Sequence, residues 1–318
     1  MRRWNSHSAT AWNRFFFGVQ PAMPLRMFRA AFGSWLVTYY LRLYEILRLH
    51  LDHDGLVTRA ELSESMRTGK WSVFAWLAGN ETAFHLVFLV AILGAIGLSA
   101  GWHVRFAAAL NWAANLSLAN ALVVGTNSGD EIVTILSFLF LLAAIAGHLD
   151  TGRVAIPSWS IRLFQIQIVL IYFFSGWLKT ASPDWYRGEA MHFVFQQPLW
   201  LRAAWEALDN PLVVGFMTYG ILAFELVLFP VLVWIRTWRP WVLSAGVLFH
   251  VAIAITMKVF VFGELMPITY LAFLSVDSRV MKVAANLGNR LREAILCQRT
   301  ISTFDSSSVP NTSRLGSP

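Results

Sequence analysis

Long apolar runs separated by short polar segments dominate the chain. Seven of them approach the roughly 20 residues that a helix needs to cross a bilayer, and they cover residues 25–47, 83–100, 104–124, 132–148, 159–178, 212–234 and 241–257. A shorter run, 265–276, becomes long enough if its helix begins near Val259. Inside a bilayer the backbone must satisfy its own hydrogen bonds, which favours helices. The pattern predicts an all-α, polytopic transmembrane helical bundle with about eight spans.

The first run departs most from a simple span. Arg26, Arg29, Arg42 and Glu45 interrupt it, and each must reach the headgroups, a partner or the protein interior. If this run and the last one lie in the membrane interface instead, six spans remain.

The composition excludes an ordinary soluble domain. Hydrophobic residues make up 57% of the chain and charged residues only 14%, whereas about 25% charged residues is usual in soluble domains. The net charge of +7 comes from basic residues beside the apolar runs rather than from one basic stripe. Membrane topology explains this placement better than binding to nucleic acid, so we expect the lipid bilayer as the partner and no nucleic acid.

The loop charges predict an orientation. The basic residues at the start of the chain have no acidic neighbour, which places segment 1–24 in the cytoplasm. Alternation then puts Asp130 and the loop 179–210 outside and the basic residues near 153–162 and 236–239 inside. We therefore divide the chain into a basic segment 1–24, a transmembrane domain 25–277 and a basic, disordered cytoplasmic tail 278–318. The prediction is a multi-pass protein of the cell membrane with both termini in the cytoplasm and no cleaved leader.

The sequence gives little indication of a metal site or a disulfide bond. The single cysteine, Cys297, excludes an intrachain disulfide and a cysteine-rich metal site. The segment from His50 to Glu61 has the spacing of a calcium-binding EF-hand loop, but His50 stands where a carboxylate is expected, and a plain Asp-Gly turn explains the segment better. Glu189 and His192 have the spacing of half a carboxylate-bridged metal site, yet no second copy exists. We predict no metal centre.

Lys179 is the most informative single residue. It follows the apolar run 159–178 within a turn of Ser175-Gly176 and precedes a Pro-Asp-Trp turn. An amine at the edge of hydrocarbon is partly dehydrated, which favours its neutral form and lets a lysine act as a base. The alternative is a lysine that reaches the headgroups and marks the end of a span.

Polar groups inside the apolar runs form a second set of candidates. Glu225 and His250 fall near the middle of neighbouring spans, and Arg29 falls in the first span. A carboxylate in hydrocarbon is costly unless it is paired or protonated, so we expect these three residues to form a supporting polar network. Such a network either serves a site or fixes the packing of the helices.

The order of these motifs resembles the HTTM (horizontally transferred transmembrane) family. The segment Tyr172-Phe-x-x-Gly176-x-x-Lys179, followed by Asp184-Trp185-x-x-Gly188-x-x-Met191, is similar to the signature of that family. Further matches, spread over residues 12–277, are Phe28-Arg29, Asp54-Gly55-Leu, Ser117-Leu-Ala-Asn120, Gly129-Asp130, Leu163-Phe-Gln165-x-Gln167, Phe224-Glu225 with Pro230, and Phe249-His250.

The resemblance implies a role for Lys179. In vitamin K-dependent gamma-carboxylase, the characterised member of the family, a lysine at the matching position is thought to deprotonate vitamin K hydroquinone. Carried over, this makes Lys179 the candidate catalytic base, with Asp184, Trp185 and Gly188 in the motif loop beside it. The carboxylase has a large lumenal portion after its membrane domain, whereas this chain ends in a short tail, so we do not expect a true protein carboxylase. The resemblance also favours a bacterial cytoplasmic membrane.

Three functions remain open from the sequence. The first is an enzyme with carboxylase-like or quinone-dependent oxidoreductase or lyase chemistry, acting at the outer membrane face on a quinone-like or lipid ligand with Lys179 as base. The second is a transporter or lipid-handling protein that uses Glu225 and His250. The third is a membrane scaffold without catalysis for an unknown protein partner. A quinone-like cofactor rests on the resemblance alone.

Overall fold

The computed structural model describes residues 2–51, 71–73, 80–121, 128–150, 152–197, 201–202 and 209–275. Within these ranges the chain is almost entirely helical. The helices are α1 (Arg2–Phe17), α2 (Met23–Leu51), α3 (Glu81–Ala100), α4 (Val104–Ala121), α5 (Ser128–Ile145), α6 (Trp159–Lys179), α7 (Pro183–Tyr186), α8 (Ala190–Phe195), α9 (Pro211–Ala223), α10 (Phe229–Leu232), α11 (Arg239–Thr256) and α12 (Phe260–Thr269). A π-helical turn, Phe224–Leu228, joins α9 to α10, and a 3-10 turn, Tyr270–Phe273, follows α12.

The helical bundle predicted from the apolar runs is confirmed. Five of the described helices are long and apolar enough to cross a membrane: Thr82–Ala100, Ser128–Ile145, Trp159–Lys179, Pro211–Leu232 and Arg239–Thr256. The helix α2 also covers the first predicted run, but it is not among these five helices, and it carries Arg26, Arg29, Arg42 and Glu45. The helix α4 covers the run 104–124 as far as Ala121, and α12 with the 3-10 turn covers the last run as far as Phe273. The count of about eight spans therefore stays a prediction.

Aromatic rings fill the centre of the bundle. Phe28 of α2 lies 5.0 Å from Phe140 of α5 and 5.1 Å from Phe164 of α6, and Phe140 and Phe164 are 4.6 Å apart, between ring centroids. All three side chains are buried. Since edge-on and tilted ring pairs add to the energy of burial, this cluster ties α2, α5 and α6 together.

A small sheet marks one end of the bundle. Strand β1 (Val19–Pro21) precedes α2 and pairs antiparallel with β2 (Ala155–Pro157), which precedes α6. The starts of α2 and α6 therefore lie side by side. Arginine side chains add further links at this end, and we call it the basic end, defined by Arg26, Arg29, Arg105, Arg153, Arg162 and Arg239.

The contacts of these arginines place several helix termini together. Arg29 Nη1 donates to the carbonyl oxygen of Leu98 near the end of α3. Arg105, at the start of α4, donates from Nε to the carbonyl oxygen of Ala144 at 3.3 Å, near the end of α5. Because α6 starts at this end and is about 30 Å long at 1.5 Å per residue, Lys179 lies at the opposite end.

Candidate functional site

One face of α6 carries the residues of the candidate site. Ser175 and Gly176 lie three and four residues after Tyr172 and four and three residues before Lys179, so all four residues share one face of the helix. This face packs against the π-helical turn and α10. The spacing was visible in the sequence, but the partner of the face was not.

Gly176 lets the two elements approach closely. A β-carbon at this position would lie 2.8 Å from Cγ of Leu226 and 3.0 Å from Cβ of Glu225, which is closer than packed carbon atoms normally come. Only glycine leaves that space free. The close approach brings the side chain of Glu225 beside Ser175 and Lys179.

The π-helical turn aims Glu225 at α6. It covers Phe224–Leu228 in the second half of the apolar helix Pro211–Leu232 and is followed by Pro230. Proline has no backbone N–H, so the regular helical hydrogen bonds cannot continue through it. Single π-helical turns inside α-helices are frequent at functional sites. The sequence reasoning missed this turn, although Pro230 inside an apolar run was the signal.

Lys179 and Glu225 form a buried ion pair. Nζ of Lys179 lies 2.6 Å from Oε2 of Glu225 and donates a second hydrogen bond to Oγ of Ser175 at 2.7 Å. The Glu225 side chain is 6% exposed and that of Lys179 is 25% exposed. The lysine is therefore turned inward to the carboxylate, and it is also the member of the pair that a ligand can reach.

Lys179 is the last residue of α6, but its carboxylate partner comes from well inside the neighbouring apolar helix. Glu225 lies about 20 Å along the apolar helix from Pro211, at 1.5 Å per residue. The chain from Pro183 to Phe195 lies beside the first part of that helix: the hydroxyl of Tyr219 donates to the carbonyl oxygen of Tyr186 at 2.9 Å, and Met191 N donates to Oγ1 of Thr218 at 3.2 Å. The pair thus sits below this covering segment.

The motif loop supplies the cover. The ring centroid of Trp185 lies 5.3 Å from Nζ of Lys179, within the range of a cation–π interaction. Gly188 has a φ of 81°, and a β-carbon there would meet the ring of Tyr219 at 2.8 Å, so the turn needs glycine. Asp184 accepts the backbone N–H of Glu189 through its carbonyl oxygen at 2.8 Å, which closes the same turn.

His250 belongs to a second polar group, about two turns before Lys179 along α6. Its Nε2 lies 2.6 Å from the hydroxyl of Tyr172, and that hydroxyl also pairs with the hydroxyl of Tyr270. The ring of Tyr172 stacks on Phe229 with centroids 3.9 Å apart. Glu225 and His250 are thus both close to the Tyr172–Lys179 face of α6, but each bonds to a different residue of it.

Arg29 does not join this network. Its guanidinium lies at the end of α3, where a β-carbon on Gly101 would come within 2.9 Å of it, and it donates to the carbonyl oxygen of Leu98. Among the described residues, no hydrogen bond or ion pair joins Arg29 to Glu225 or His250. Arginine near a helix C-terminus satisfies carbonyls that the helix leaves unpaired.

The remaining candidates have other partners. Nδ1 of His192 lies 2.6 Å from Oδ1 of Asp209, and its Nε2 lies 3.0 Å from Nε2 of Gln196, so it is not paired with Glu189. No group of three or more potential metal ligands occurs in the ranges that the structure describes. The EF-hand-like segment from residue 52 onward and the tail from 278, with Cys297, lie outside those ranges.

A further polar seam lies along the asparagines of α4, whose recurrence in the sequence suggests bonds across helices. The hydroxyl of Tyr39 donates to Oδ1 of Asp130 at 2.8 Å, and that of Tyr40 donates to Oδ1 of Asn111 at 3.0 Å. Asn115 bonds to Oγ of Ser137 at 2.7 Å. The asparagines on α4 were a visible signal, but adjacent tyrosines in an apolar run gave none. The seam ties α2, α4 and α5 together by hydrogen bonds.

Comparison with known proteins agrees with the resemblance found in the sequence. Residues 134–277, which include α6, the motif loop, the π-helical turn and His250, match the model of the HTTM domain. The chain is 23% identical to the uncharacterized protein YitO of Bacillus subtilis (strain 168) over 262 residues, covering 76% of this chain and 84% of that protein. No solved structure matches. Residues 134–277 are thus similar to the HTTM domain, and with its long apolar helices the chain is an integral membrane protein.

Proposed function

We propose that the protein is a membrane enzyme that removes a proton from a weakly acidic hydroxyl group of a quinone-like or lipid substrate, with Lys179 as the base. The observation that carries this proposal is the buried ion pair between Lys179 and Glu225, which lies far from the start of its apolar helix and under an aromatic cover. A buried pair of charges is expensive to maintain and is weak evidence for stability alone, so a functional role accounts for it better.

The pair can pass a proton without creating an isolated charge. Nζ of Lys179 and Oε2 of Glu225 are 2.6 Å apart, so one proton can lie on either atom. When Glu225 holds it, the neutral amine of Lys179 can accept the hydroxyl proton of a substrate, which leaves an oxyanion next to an ammonium. Ser175 keeps Nζ in place in both states through its hydroxyl. The oxyanion of a quinol reacts with molecular oxygen more readily than the quinol does.

The charges of the bundle support a substrate that enters from the outer side. The basic end carries at least six arginines, and by the positive-inside rule this end faces the cytoplasm. Lys179 lies toward the other end, as the family resemblance also implies. A lipid-soluble substrate could reach it from the outer leaflet.

The test is oxygen uptake with a reduced quinone in proteoliposomes. We compare the wild type with Lys179→Met, and use Lys258→Met, an exposed lysine between α11 and α12, as the matched control. We expect Lys179→Met to abolish quinol-dependent uptake, a loss of at least about 100-fold for a general base, while insertion and folding persist. Lys258→Met should retain the activity. Equal activity of the wild type and Lys179→Met would contradict the proposal.

A second candidate is proton-coupled transport, which one observation favours. The buried hydrogen bonds that join His250, Tyr172 and Tyr270 follow the same face of α6 as Lys179 and could relay a proton through the bundle. Movement of a substrate across the membrane that is driven by a proton gradient and lost in His250→Ala, in the absence of quinol oxidation, would favour transport. Co-purification with an enzyme, with neither activity present, would favour a scaffold.

A further inference from the structure

A turn after α5 gathers charged side chains at the basic end. Gly147 has a φ of 71°, a left-handed conformation in which the chain reverses direction. A β-carbon at this glycine would lie 3.1 Å from Oδ2 of Asp150, 3.4 Å from Nη2 of Arg153 and 3.6 Å from Nη2 of Arg105. These side chains therefore converge on one small patch of backbone, which we call the Gly147 cluster, formed by Arg26, Arg105, Asp150 and Arg153 around Gly147.

The cluster keeps an excess of positive charge. The carboxylate of Asp150 reaches Arg105 at 3.7 Å, and Arg26 donates instead to the backbone carbonyl oxygen of Asp150 at 2.9 Å. The guanidinium of Arg153 makes no hydrogen bond or ion pair within the described ranges. Three guanidinium groups thus share one carboxylate, which leaves donors available for an anion.

Exposed apolar side chains adjoin the cluster. Trp102 is 71% exposed, Phe106 in the first turn of α4 is 67% exposed, and Ile145 at the end of α5 is 64% exposed. The hydrogen bond from Arg105 to Ala144 holds these two helix termini together. In a protein that spans the bilayer, such residues face acyl chains, and tryptophan prefers the headgroup level.

We propose that the Gly147 cluster binds the headgroup of an anionic phospholipid whose acyl chains lie along α4 and α5. Arginine suits this role because its planar guanidinium donates two parallel hydrogen bonds to a phosphate group. A basic cluster at the cytoplasmic side of neighbouring transmembrane helices has the chemistry that selects such headgroups. The apolar strip distinguishes a lipid from free phosphate, which would gain nothing from Phe106 or Ile145. The inference is independent of any reaction at Lys179.

Native mass spectrometry of the full-length protein released from mixed phosphatidylglycerol and phosphatidylcholine nanodiscs tests this inference. We expect the wild type to retain phosphatidylglycerol in preference to phosphatidylcholine. The double variant Arg105→Gln/Arg153→Gln should lower the affinity for phosphatidylglycerol about fivefold per arginine, on the order of 30-fold in all. The matched control Arg236→Gln removes a charge from the same end outside the cluster and should leave the preference unchanged.

A variant that is expected to bind phosphatidylglycerol more tightly distinguishes the loss of a binding site from a folding defect. Asp150→Asn removes the carboxylate but leaves the backbone oxygen that accepts from Arg26, so we expect phosphatidylglycerol to bind about fivefold more tightly. Equal retention of both lipids by the wild type, unchanged binding in Asp150→Asn, or an equal loss in Arg236→Gln would overturn the proposal. Displacement of the lipid by inorganic phosphate at about the concentration of a buffer would assign the cluster to free phosphate instead and would also overturn it.

Discussion

At the scale of single residues, Lys179 and Glu225 depend on each other. Each charge would be costly alone in apolar surroundings, and their contact at 2.6 Å offsets much of that cost. The hydroxyl of Ser175 accepts a further hydrogen bond from the Lys179 ammonium, and Trp185 covers that ammonium with its ring. The arrangement explains why a lysine and a glutamate persist in otherwise apolar helices.

A double-mutant cycle tests this dependence. Glu225→Gln removes the carboxylate and leaves a largely buried ammonium without its charge partner, so we expect a loss of about 3 kcal/mol in the free energy of unfolding. In the Lys179→Met/Glu225→Gln double variant, neither charge remains, and its loss should be smaller than the sum of the two single losses by about 2 kcal/mol. Unfolding of detergent-solubilised protein measures these differences. Additive losses would mean that the two side chains are not coupled.

The sequence identified the residues of this site better than their pairing. Lys179, Glu225 and His250 stood out because charged or polar side chains are rare in apolar runs. The sequence grouped Glu225 with His250 and Arg29, whereas Glu225 pairs with Lys179 and Arg29 bonds to the end of α3. Helical periodicity fixes which residues share a face of one helix, but not the register of that helix against another.

At the scale of secondary-structure elements, the contact between α6 and the π-helical turn positions the site. It depends on a small residue at Gly176 and on a turn that departs from regular α-helical geometry beside Pro230. A regular α-helix would direct residue 225 differently relative to Phe229. The irregular turn therefore allows Glu225 to face Lys179 while Phe229 stacks on Tyr172.

Two glycine substitutions separate packing from helix propensity. Gly176→Ala places a methyl group 2.8 Å from Leu226 and 3.0 Å from Glu225, so we expect a loss of about 1 to 3 kcal/mol in the free energy of unfolding. Gly220→Ala is the matched control, because a methyl group there meets no atom within 4 Å. It should be neutral or stabilising by up to about 1 kcal/mol. The same loss in both variants would show that the close approach at Gly176 is not what matters.

Elements were predictable where the apolar pattern was long. The five helices that qualify as spans each overlap a predicted run, because twenty apolar residues admit few other structures. The helix α1, the paired strands before α2 and α6, and the π-helical turn were not predicted. Polar residues dominate α1, and short or irregular elements depend on tertiary contacts that leave little periodic signal.

At the scale of the whole molecule, the asymmetry of charge gives the bundle a direction. Arginines near the starts of α2, α4, α6 and α11 gather at the basic end, while Lys179 lies toward the other end. By the positive-inside rule we expect the basic end in the cytoplasm. This orientation places the covering segment, from Pro183 to Phe195, on the outer side.

Cysteine labelling measures this orientation. In a background with Cys297→Ser, Gln197→Cys lies beyond α8 and Gly152→Cys lies at the basic end, and both sites are exposed. We expect a membrane-impermeant maleimide to label Gln197→Cys in intact spheroplasts and Gly152→Cys only after lysis. The opposite pattern would invert the topology, and labelling of both in intact spheroplasts would refute it.

The central claim is that the Lys179–Glu225 pair lies in a site for a lipid-soluble ligand. Mass spectrometry of the quinones and lipids that co-purify with the wild type, Lys179→Met and Lys258→Met tests it most directly. We predict that a quinone or a specific lipid accompanies the wild type and Lys258→Met and is depleted from Lys179→Met. If none is enriched in any of them, or if the same ligand remains in Lys179→Met, the pair is a structural contact and the claim is wrong.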